Sequence, residues 1–245
     1  MNALEVRGLT KRYPAFTLLD VSFDVPQGAV VGFIGRNGAG KSTTLKSILG
    51  MVHPDEGTVT AFGRDYRQHE AAIRQELGVV LGGIDFYPKK KVAAITDVTR
   101  RFYPNWDEEK YRHYLRLFAI DEDKRVDELS SGMRVKYLIA LALSHNAKLL
   151  ILDEPTSGLD PVSRDELTEL LRRVVADGTR SVLFSTHITS DLEKCASHIA
   201  FIKDGVLQYS GAVADFKRHY AHLGTTLEDI IVAAERRALD DDAII

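Results

Sequence analysis

Residues 35–42 read Gly-Arg-Asn-Gly-Ala-Gly-Lys-Ser and match the phosphate-binding pattern G-x-x-x-x-G-K-[ST] at every fixed position. Glycines in such a loop let the backbone adopt turns in which successive amides point at one anion. In this pattern the lysine supplies a positive charge for the outer phosphates, and the final hydroxyl is a ligand for Mg²⁺. The stretch therefore predicts a loop that binds a nucleoside triphosphate.

The sequence on either side of this loop predicts a strand before it and a helix after it. Residues 29–34 form a short apolar run that is typical of a buried strand. Beyond the loop, Leu45, Ile48 and Leu49 recur at helical spacing. A helix N-terminus would then face the phosphates, where amide groups and the helix dipole favour anions. A chance match to a short pattern is the competing interpretation, and this context disfavours it.

The composition is that of an ordinary globular protein and narrows the function classes. The 245 residues suffice for one large domain, and a net charge of −3 gives no broad basic footprint for nucleic acid. Cys195 is the only cysteine, so an internal disulfide is excluded and a reducing cytosol is expected. No apolar stretch approaches the roughly 18–20 residues that span a bilayer, and the first residues lack a signal-peptide pattern. We expect no nucleic-acid partner.

Three further strands and a helix predict an α/β core. Residues 149–152 and 181–185 are apolar runs typical of buried strands, whereas residues 18–25 include the alternation of a half-buried strand. Residues 162–176 have the spacing of an amphipathic helix and lie between two of these strands. Buried strands that alternate with helices indicate an α/β fold with a mostly parallel sheet.

The middle of the chain is predicted to be helical. Residues 92–145 have helical periodicity, with one helix beginning at Asp107 and another preceded by residues 130–132. A helical segment between two phosphate-binding strands indicates an inserted helical subdomain. Residues 226–237 predict one further amphipathic helix near the C-terminus.

Five motifs follow one another in a fixed order along the chain. They are residues 35–43, Leu129-Ser130-Ser131-Gly132-Met133, residues 149–154, Ser157-Gly158-Leu159-Asp160, and His187. In this order they resemble the nucleotide-binding domain of an ABC transporter over nearly the whole chain. The resemblance implies a P-loop NTPase core with a mostly parallel sheet, an N-terminal antiparallel β region and an inserted helical subdomain. It implies one domain, 1–245, made of a nucleotide-binding core (1–83 and 148–225), a helical subdomain (84–147), and a C-terminal helix and tail (226–245).

The same resemblance implies ATP as the nucleotide and assigns the residues that hold it. The loop would contact the phosphates through main-chain amides and through Lys41, Ser42 and Thr43, while Tyr13 would stack on adenine. A half-buried tyrosine without that role is the competing interpretation of Tyr13. The implied nucleotide-binding positions in this part of the chain are Tyr13, Gly35, Asn37, Gly38, Ala39, Gly40, Lys41, Ser42 and Thr43.

Five residues carry the implied hydrolysis. Asp153 ends an apolar strand and would hold Mg²⁺ together with Ser42. Glu154 would polarise the water that attacks the γ-phosphate, and His187 and Lys41 would contact that phosphate. Two adjacent acids that merely end a strand in solvent are the competing interpretation, which the apolar run before them disfavours.

The third group of candidates lies at the second motif and at the loop after the acids. Residues 129–133 depart from the family signature L-S-G-G-Q at the third and fifth positions. By resemblance, Ser130 and Gly132 would bind the γ-phosphate of a nucleotide held by a second ATPase chain, with Asp160 at the interface. Two paired chains would then share two ATP sites. An ordinary helix N-cap is the other interpretation of Ser130, and the two roles are compatible.

One further departure concerns hydrolysis. Similar domains have a glutamine after the strand predicted at residues 77–81, where it helps to hold Mg²⁺, but here Gly82 and Gly83 occupy that place. Two glycines also make this hinge more flexible. We therefore expect slower or less tightly coupled hydrolysis, not its loss.

Residues 101–107 and 141–145 resemble the Ytr-type exporter subgroup of the family. In that subgroup the ATPase and an ABC-2-type permease are separate chains, which implies a place on the cytoplasmic face of the cell membrane. Phe102, Tyr103 and Trp106 are expected to pack in the helical subdomain and not to bind a ligand. Two other functions stay open, namely an ATP-binding regulatory module with little turnover and an ATPase that acts on ribosomes or DNA.

Overall fold

The computed structural model describes residues 1–81 and 87–235, in which ten strands form one sheet. The strands are β1 (Asn2–Tyr13), β2 (Phe16–Pro26), β3 (Val30–Ile34), β4 (Glu56–Ala61), β5 (Arg64–Asp65), β6 (Leu77–Val80), β7 (Leu149–Asp153), β8 (Ser181–Thr186), β9 (His198–Lys203) and β10 (Val206–Ala212). The helices are α1 (Lys41–Ile48), α2 (Tyr66–Arg74), α3 (Val92–Thr99), α4 (Glu108–Leu117), α5 (Ser131–Ser144), α6 (Pro161–Val175), α7 (Thr189–Cys195), α8 (Val213–His219) and α9 (Leu227–Glu235). No helix in this part of the chain is long and apolar enough to cross a membrane.

The sheet has a parallel half and a largely antiparallel half. Neighbouring strands are all parallel in the order β9-β3-β8-β7-β6. In the other half, β5, β4, β1 and β2 pair antiparallel, and β10 connects β2 to β9. The α/β fold class, the mostly parallel core and the N-terminal antiparallel region are therefore confirmed.

The central strands bring their C-terminal ends to one edge of the sheet. Every residue of β3, β7 and β8 is buried because large apolar clusters cover both faces of the parallel half. The register pairs Ile34 with Thr186 and Asp153 with Ser185, so these three strands end side by side. Loops that follow parallel strands meet at such an edge, which is where open α/β sheets bind ligands.

The segment from α3 to α5 has an apolar cluster of its own, which includes Ile95 and Leu115. Inside this cluster the hydroxyl of Thr96 is hydrogen-bonded to the hydroxyls of Tyr111 (2.7 Å) and Tyr137 (2.8 Å). Buried hydroxyls are stable only when paired, so this network defines how the three helices pack. The inserted helical subdomain is confirmed, whereas the boundaries of the parts of the chain stay a prediction.

Two of the three aromatic side chains expected to pack in this subdomain do so. Tyr103 stacks on His145 with 3.7 Å between ring centroids, and Trp106 lies against Tyr111 at 5.3 Å. The prediction is wrong for Phe102, which is 69% exposed. Phe102 ends a short 3₁₀ turn, Arg100–Phe102, whose residues are all exposed, so the turn directs its ring away from the core.

Candidate functional site

The loop between β3 and α1 is folded tightly against the turn that joins β9 to β10. A Cβ atom at Gly35 would lie 2.3 Å from the carbonyl oxygen of Ile202, so only glycine fits there. Gly40 has a φ angle of 111°, a conformation that side chains disfavour. The amide of Gly205 donates a hydrogen bond of 3.0 Å to the carbonyl of Ala39. The loop is thereby preshaped, as a phosphate cradle requires.

The lysine of this loop is buried and paired. Lys41 is 5% exposed, and its Nζ donates hydrogen bonds to the carbonyls of Gly35 (2.8 Å) and Arg36 (3.2 Å). The same Nζ forms an ion pair with Oε1 of Glu154 at 3.1 Å. These partners are needed because an unpaired buried charge is strongly destabilising. The positive charge is therefore held inside the loop, against the carboxylate that follows β7.

Glu154 connects this lysine to the histidine. It follows β7 with a φ angle of 50°, which is uncommon for residues other than glycine. Its Oε2 lies 2.8 Å from Nδ1 of His187, which follows β8. Lys41, Glu154 and His187 therefore form one continuous line of contacts. Backbone conformations of this kind are concentrated at functional sites.

Ser185, which the sequence patterns did not single out, binds the backbone of Glu154 and the side chain of Asp153. Its Oγ accepts a hydrogen bond from the amide of Glu154 (2.9 Å) and donates one to Oδ1 of Asp153 (2.5 Å). Asp153 is 7% exposed, so this contact is interior. The sequence signal that could have indicated Ser185 is a polar residue near the end of the apolar run of β8. We call Lys41, Asp153, Glu154, Ser185 and His187 the phosphate-loop cluster.

The residues beside the loop fit a magnesium ion that is bound together with a nucleotide. Asp153 and Ser42 offer a carboxylate and a hydroxyl, and Mg²⁺ usually takes one or two such protein oxygens and completes its octahedron with phosphates and water. Ser42 follows Lys41, whose Nζ reaches the residue after Asp153. Within residues 1–81 and 87–235 no group of three or more His, Cys, Asp or Glu side chains could hold a metal by itself.

Tyr13 lies on the β1–β2 hairpin beside the same loop. It is 41% exposed, and the Nζ of Lys11 lies 5.8 Å from its ring centroid. Phe16, its partner across the hairpin, is so near the loop that a Cβ atom at Gly40 would lie 2.9 Å from its Cζ. An exposed ring next to a phosphate loop is available to stack on a base. The contact with adenine stays a prediction.

The remaining candidates form a separate group at the N-termini of α5 and α6. The Oγ of Ser130 accepts a hydrogen bond of 3.2 Å from the amide of Met133 and caps α5. Asp160 caps α6, and hydrogen bonds from the side chain and amide of Ser163 lower the pKa of Asp160 below its ordinary value. A Cβ atom at Gly132 would lie 3.2 Å from the side chain of Ser163, so the two helix starts touch. We call Ser130, Gly132 and Asp160 the signature edge.

The structure brings some candidates together and separates others. Lys41, Glu154 and His187 are in contact, but no hydrogen bond or ion pair joins the phosphate-loop cluster to the signature edge within the described ranges. Gly82 and Gly83 lie outside the described residues, so their effect on hydrolysis stays a prediction. The individual roles of the candidate residues also stay predictions.

A strand, a glycine-rich loop and a helix, with two acids at the end of a nearby strand, define a P-loop nucleotide-binding protein. The sequence model of the ABC transporter family matches residues 18–157. The chain is 30% identical to the ABC transporter ATP-binding protein YtrB of Bacillus subtilis over 218 residues, which cover 89% of this chain and 74% of that protein. It is 36% identical to the Nod factor export ATP-binding protein I of Ralstonia nicotianae over 208 residues, which cover 82% of this chain and 64% of that protein.

A solved structure described as the ATP-binding subunit of an ABC transporter is also similar. It superposes with a TM-score of 0.83 at 28% identity, covering 94% of this chain and 98% of the other. The chain therefore belongs to the ABC transporter family of ATP-binding proteins. The family predicted from the order of the five motifs is confirmed.

Proposed function

We propose that this chain is the ATP-hydrolysing subunit of an exporter whose permease is a separate, ABC-2-type chain. The observation that carries the proposal is the line of contacts from Lys41 through Glu154 to His187, directly beside the phosphate loop. The name of one relative, an export ATP-binding protein, supports the direction of transport. The chain would act at the cytoplasmic face of the cell membrane, where the permease is embedded.

Nucleotide binding begins with an exchange of partners at Lys41. In the structure the Nζ of Lys41 is held by two loop carbonyls and by Glu154. A triphosphate in the loop offers several anionic oxygens, and charge-assisted hydrogen bonds to phosphate are strong. Lys41 therefore turns to the phosphates and releases Glu154 for chemistry. Main-chain amides of residues 35–43 hold the phosphates, and Tyr13 holds the adenine by stacking.

Glu154 then acts as the general base. Its carboxylate accepts a proton from the water whose oxygen attacks the γ-phosphorus, and the products are ADP and phosphate. The hydrogen bond between His187 and Glu154 orients this carboxylate, and the same imidazole is proposed to contact the γ-phosphate. Ser42 and Asp153 would hold Mg²⁺, which would shield the negative charge of the phosphates.

Two chains are needed to complete each site. The signature edge lies at two helix N-termini, where amides and the helix dipole attract anions. Among the described residues no hydrogen bond or ion pair joins it to the phosphate-loop cluster of its own chain. We infer a pair in which the signature edge of one chain covers the γ-phosphate held by the other, with Asp160 at the interface. Hydrolysis removes the bridging phosphate and lets the pair open. The second chain is either a copy of this one or a related chain.

The permease is proposed to dock in the groove between the sheet and the helical subdomain. A cavity of about 320 Å³ lies there, lined on the sheet side by Leu77 and Val79 and on the helical side by Tyr103 and Leu138. Met51 at this cavity is 59% exposed and Val79 on the edge strand β6 is 39% exposed. An exposed apolar groove of this kind fits the apolar face of a short helix from a partner.

The two other functions are less well supported. A regulatory module without turnover has no need of the contact between Glu154 and His187, which suits a base and its orienting group. An ATPase that acts on DNA or ribosomes usually needs a basic surface, whereas this chain has a net charge of −3.

A Glu154→Gln variant tests the proposal. With MgATP we expect the wild-type chain to release phosphate and the variant to release it at least about a hundredfold more slowly, because its general base is neutralised. The variant should also persist as an ATP-bound pair of doubled mass in light scattering. Glu169→Gln is the matched control and should keep the wild-type rate, since among the described residues that carboxylate pairs with Arg172 and Arg173 of its own helix, α6.

Two results would overturn the proposal. One is a wild-type chain that releases no phosphate, either alone or in the presence of its permease. The other is a Glu154→Gln variant with the wild-type rate and no pairing in ATP. The partner is tested by a pull-down from detergent-solubilised membranes, in which a permease should be retained by the wild-type chain.

A further inference from the structure

The start of α6 contacts the two neighbouring helices α5 and α7 through the consecutive residues 163–166. Ser163 faces α5, because a Cβ atom at Gly132 would lie 3.2 Å from its side chain. One turn later Glu166 forms an ion pair with Lys136, also on α5. The start of α6 is therefore attached to the helix whose N-terminus carries the signature edge.

The two residues between them face α7 instead. Arg164 forms an ion pair with Asp191 at 3.3 Å, and Asp165 forms one with Lys194 at 2.7 Å. These pairs differ in burial, since the side chain of Asp191 is 4% exposed whereas that of Asp165 is 68% exposed. An exposed pair contributes little, but removing one partner of a buried pair leaves an uncompensated charge and is costly. The Arg164–Asp191 pair is thus the strong connection.

The carboxylate of Asp191 depends on this arginine. Its Oδ1 accepts the hydrogen bond from Arg164, while Oδ2 is buried and has no hydrogen-bond partner among the described residues. A buried carboxylate with a single charged partner follows that partner when the partner moves. The position of α6 at Arg164 therefore determines the position of Asp191.

Helix α7 in turn determines where the histidine of the phosphate-loop cluster lies. The amide of Asp191 donates a hydrogen bond of 3.3 Å to the carbonyl of Ile188, the residue directly after His187. On the other side, α7 is seated on β3 so closely that a Cβ atom at Gly32 would lie 1.8 Å from Leu192. Leu192 fixes one side of α7 against β3. A displacement of Asp191 is therefore taken up on the other side, through the hydrogen bond to Ile188, and it shifts the loop at His187.

We propose that Arg164 and Asp191 form a positioning pair that connects the signature edge to His187. The pair transmits engagement of α5 and α6 by a second chain to the hydrogen bond between His187 and Glu154, so that hydrolysis depends on pairing. This inference rests on the proposed function, because it assumes that the signature edge meets a partner. Coupling of this kind runs through packed side chains and ion pairs that link two elements.

A double variant, Arg164→Met with Asp191→Leu, tests the pair without leaving a buried charge. Replacing a buried ion pair by apolar side chains is often neutral for stability, so we expect the double variant to fold with an unchanged melting temperature. The kcat for ATP should fall about tenfold, whereas KM should change by less than about twofold, since nucleotide is still bound by the loop. Asp165→Asn is the matched control, because it breaks the exposed connection between the same helices and should leave kcat unchanged.

A second measurement does not need turnover. The imidazole signal of His187 in the NMR spectrum, assigned with a His187→Ala variant, should shift in the double variant and not in Asp165→Asn. An unchanged kcat together with an unchanged His187 signal overturns the positioning pair, as does a parallel loss of kcat, nucleotide binding and stability. A wild-type chain without hydrolysis contradicts the proposed function instead, and the His187 signal then still decides whether the pair positions this residue.

Discussion

The phosphate-loop cluster and the signature edge use polar side chains in opposite ways. In the cluster, side chains from the ends of different strands and from the loop satisfy one another, as buried Lys41 does with Glu154 and Glu154 with His187. At the signature edge, Ser130 and Asp160 are exposed and each caps the helix that it begins. One region is complete within a single chain, and the other is built from helix starts that face outward.

This difference indicates how strongly substitutions in each region affect stability and function. A buried charge that loses its partner destabilises its neighbours, so the phosphate-loop cluster behaves as a unit. A cap can be removed at a cost of about 1 kcal/mol without disturbing anything beyond its own helix. We therefore expect variants in the cluster to impair ATP binding or hydrolysis directly, and variants at the signature edge to act mainly by weakening pairing.

The largest effect is expected for Lys41→Met. This change removes the cation that faces the phosphates and leaves the carboxylate of Glu154 without its ion partner. Truncating a buried charge that contacts a ligand costs about 2–5 kcal/mol, so affinity for MgATP in calorimetric titration should fall at least about thirtyfold. Lys46→Met, on the exposed side of the same helix, is the control and should bind normally. Wild-type affinity in Lys41→Met would contradict the role of the phosphate-loop cluster in binding nucleotide.

A smaller effect should separate the signature edge from an ordinary cap. Ser130→Ala and Asp107→Ala each remove a side chain that caps a helix of the helical subdomain, so each should lower the free energy of unfolding by about 1 kcal/mol. Only Ser130→Ala should also weaken ATP-dependent pairing, by roughly tenfold, because it loses a hydrogen bond to a charged phosphate. Light scattering of both variants in the Glu154→Gln background measures this. Equal pairing in the two variants would reduce Ser130 to its capping role.

The smallest effect concerns His145, which lies at the C-terminal end of α5. His145 follows α5, is 3% exposed, and stacks on Tyr103; its burial lowers its pKa to about 4. An imidazole in the unfolded chain has a pKa near 6.5, so between about pH 6.5 and 4 the unfolded state binds a proton that the native state does not. Stability should therefore fall as the pH drops through this window.

His145→Phe keeps a stacking ring and cannot take up the proton. Between about pH 7.5 and 5.5 the wild-type chain should lose about 1 kcal/mol more free energy of unfolding in urea than this variant. Binding of MgATP should show no such difference, since His145 is not part of the phosphate-loop cluster. A wild-type chain and a variant with the same pH dependence would show that His145 is protonated as readily in the fold as in the unfolded chain.

Prediction from the sequence succeeded where the signal is local. The runs that became β3, β7 and β8 are apolar along their whole length, and the cap at Asp107 begins α4 as its position indicated. It gave no helix at α7 and no strand at β10, because α7 buries only two residues and β10 buries none, so neither has a clear apolar run. It also failed for Phe102, because the direction in which a 3₁₀ turn points its side chains depends on the helices around it.

The order of motifs along the chain was sufficient for the fold class, the phosphate loop and the family, because glycine turns, apolar runs and helix caps are properties of short segments. The line from Lys41 through Glu154 to His187, the role of Ser185 and the Arg164–Asp191 pair exist only once the strands are side by side. Each of these contacts joins residues from different elements. Their distances are set by strand register and helix packing, which arise from interactions between parts of the chain that are far apart in sequence.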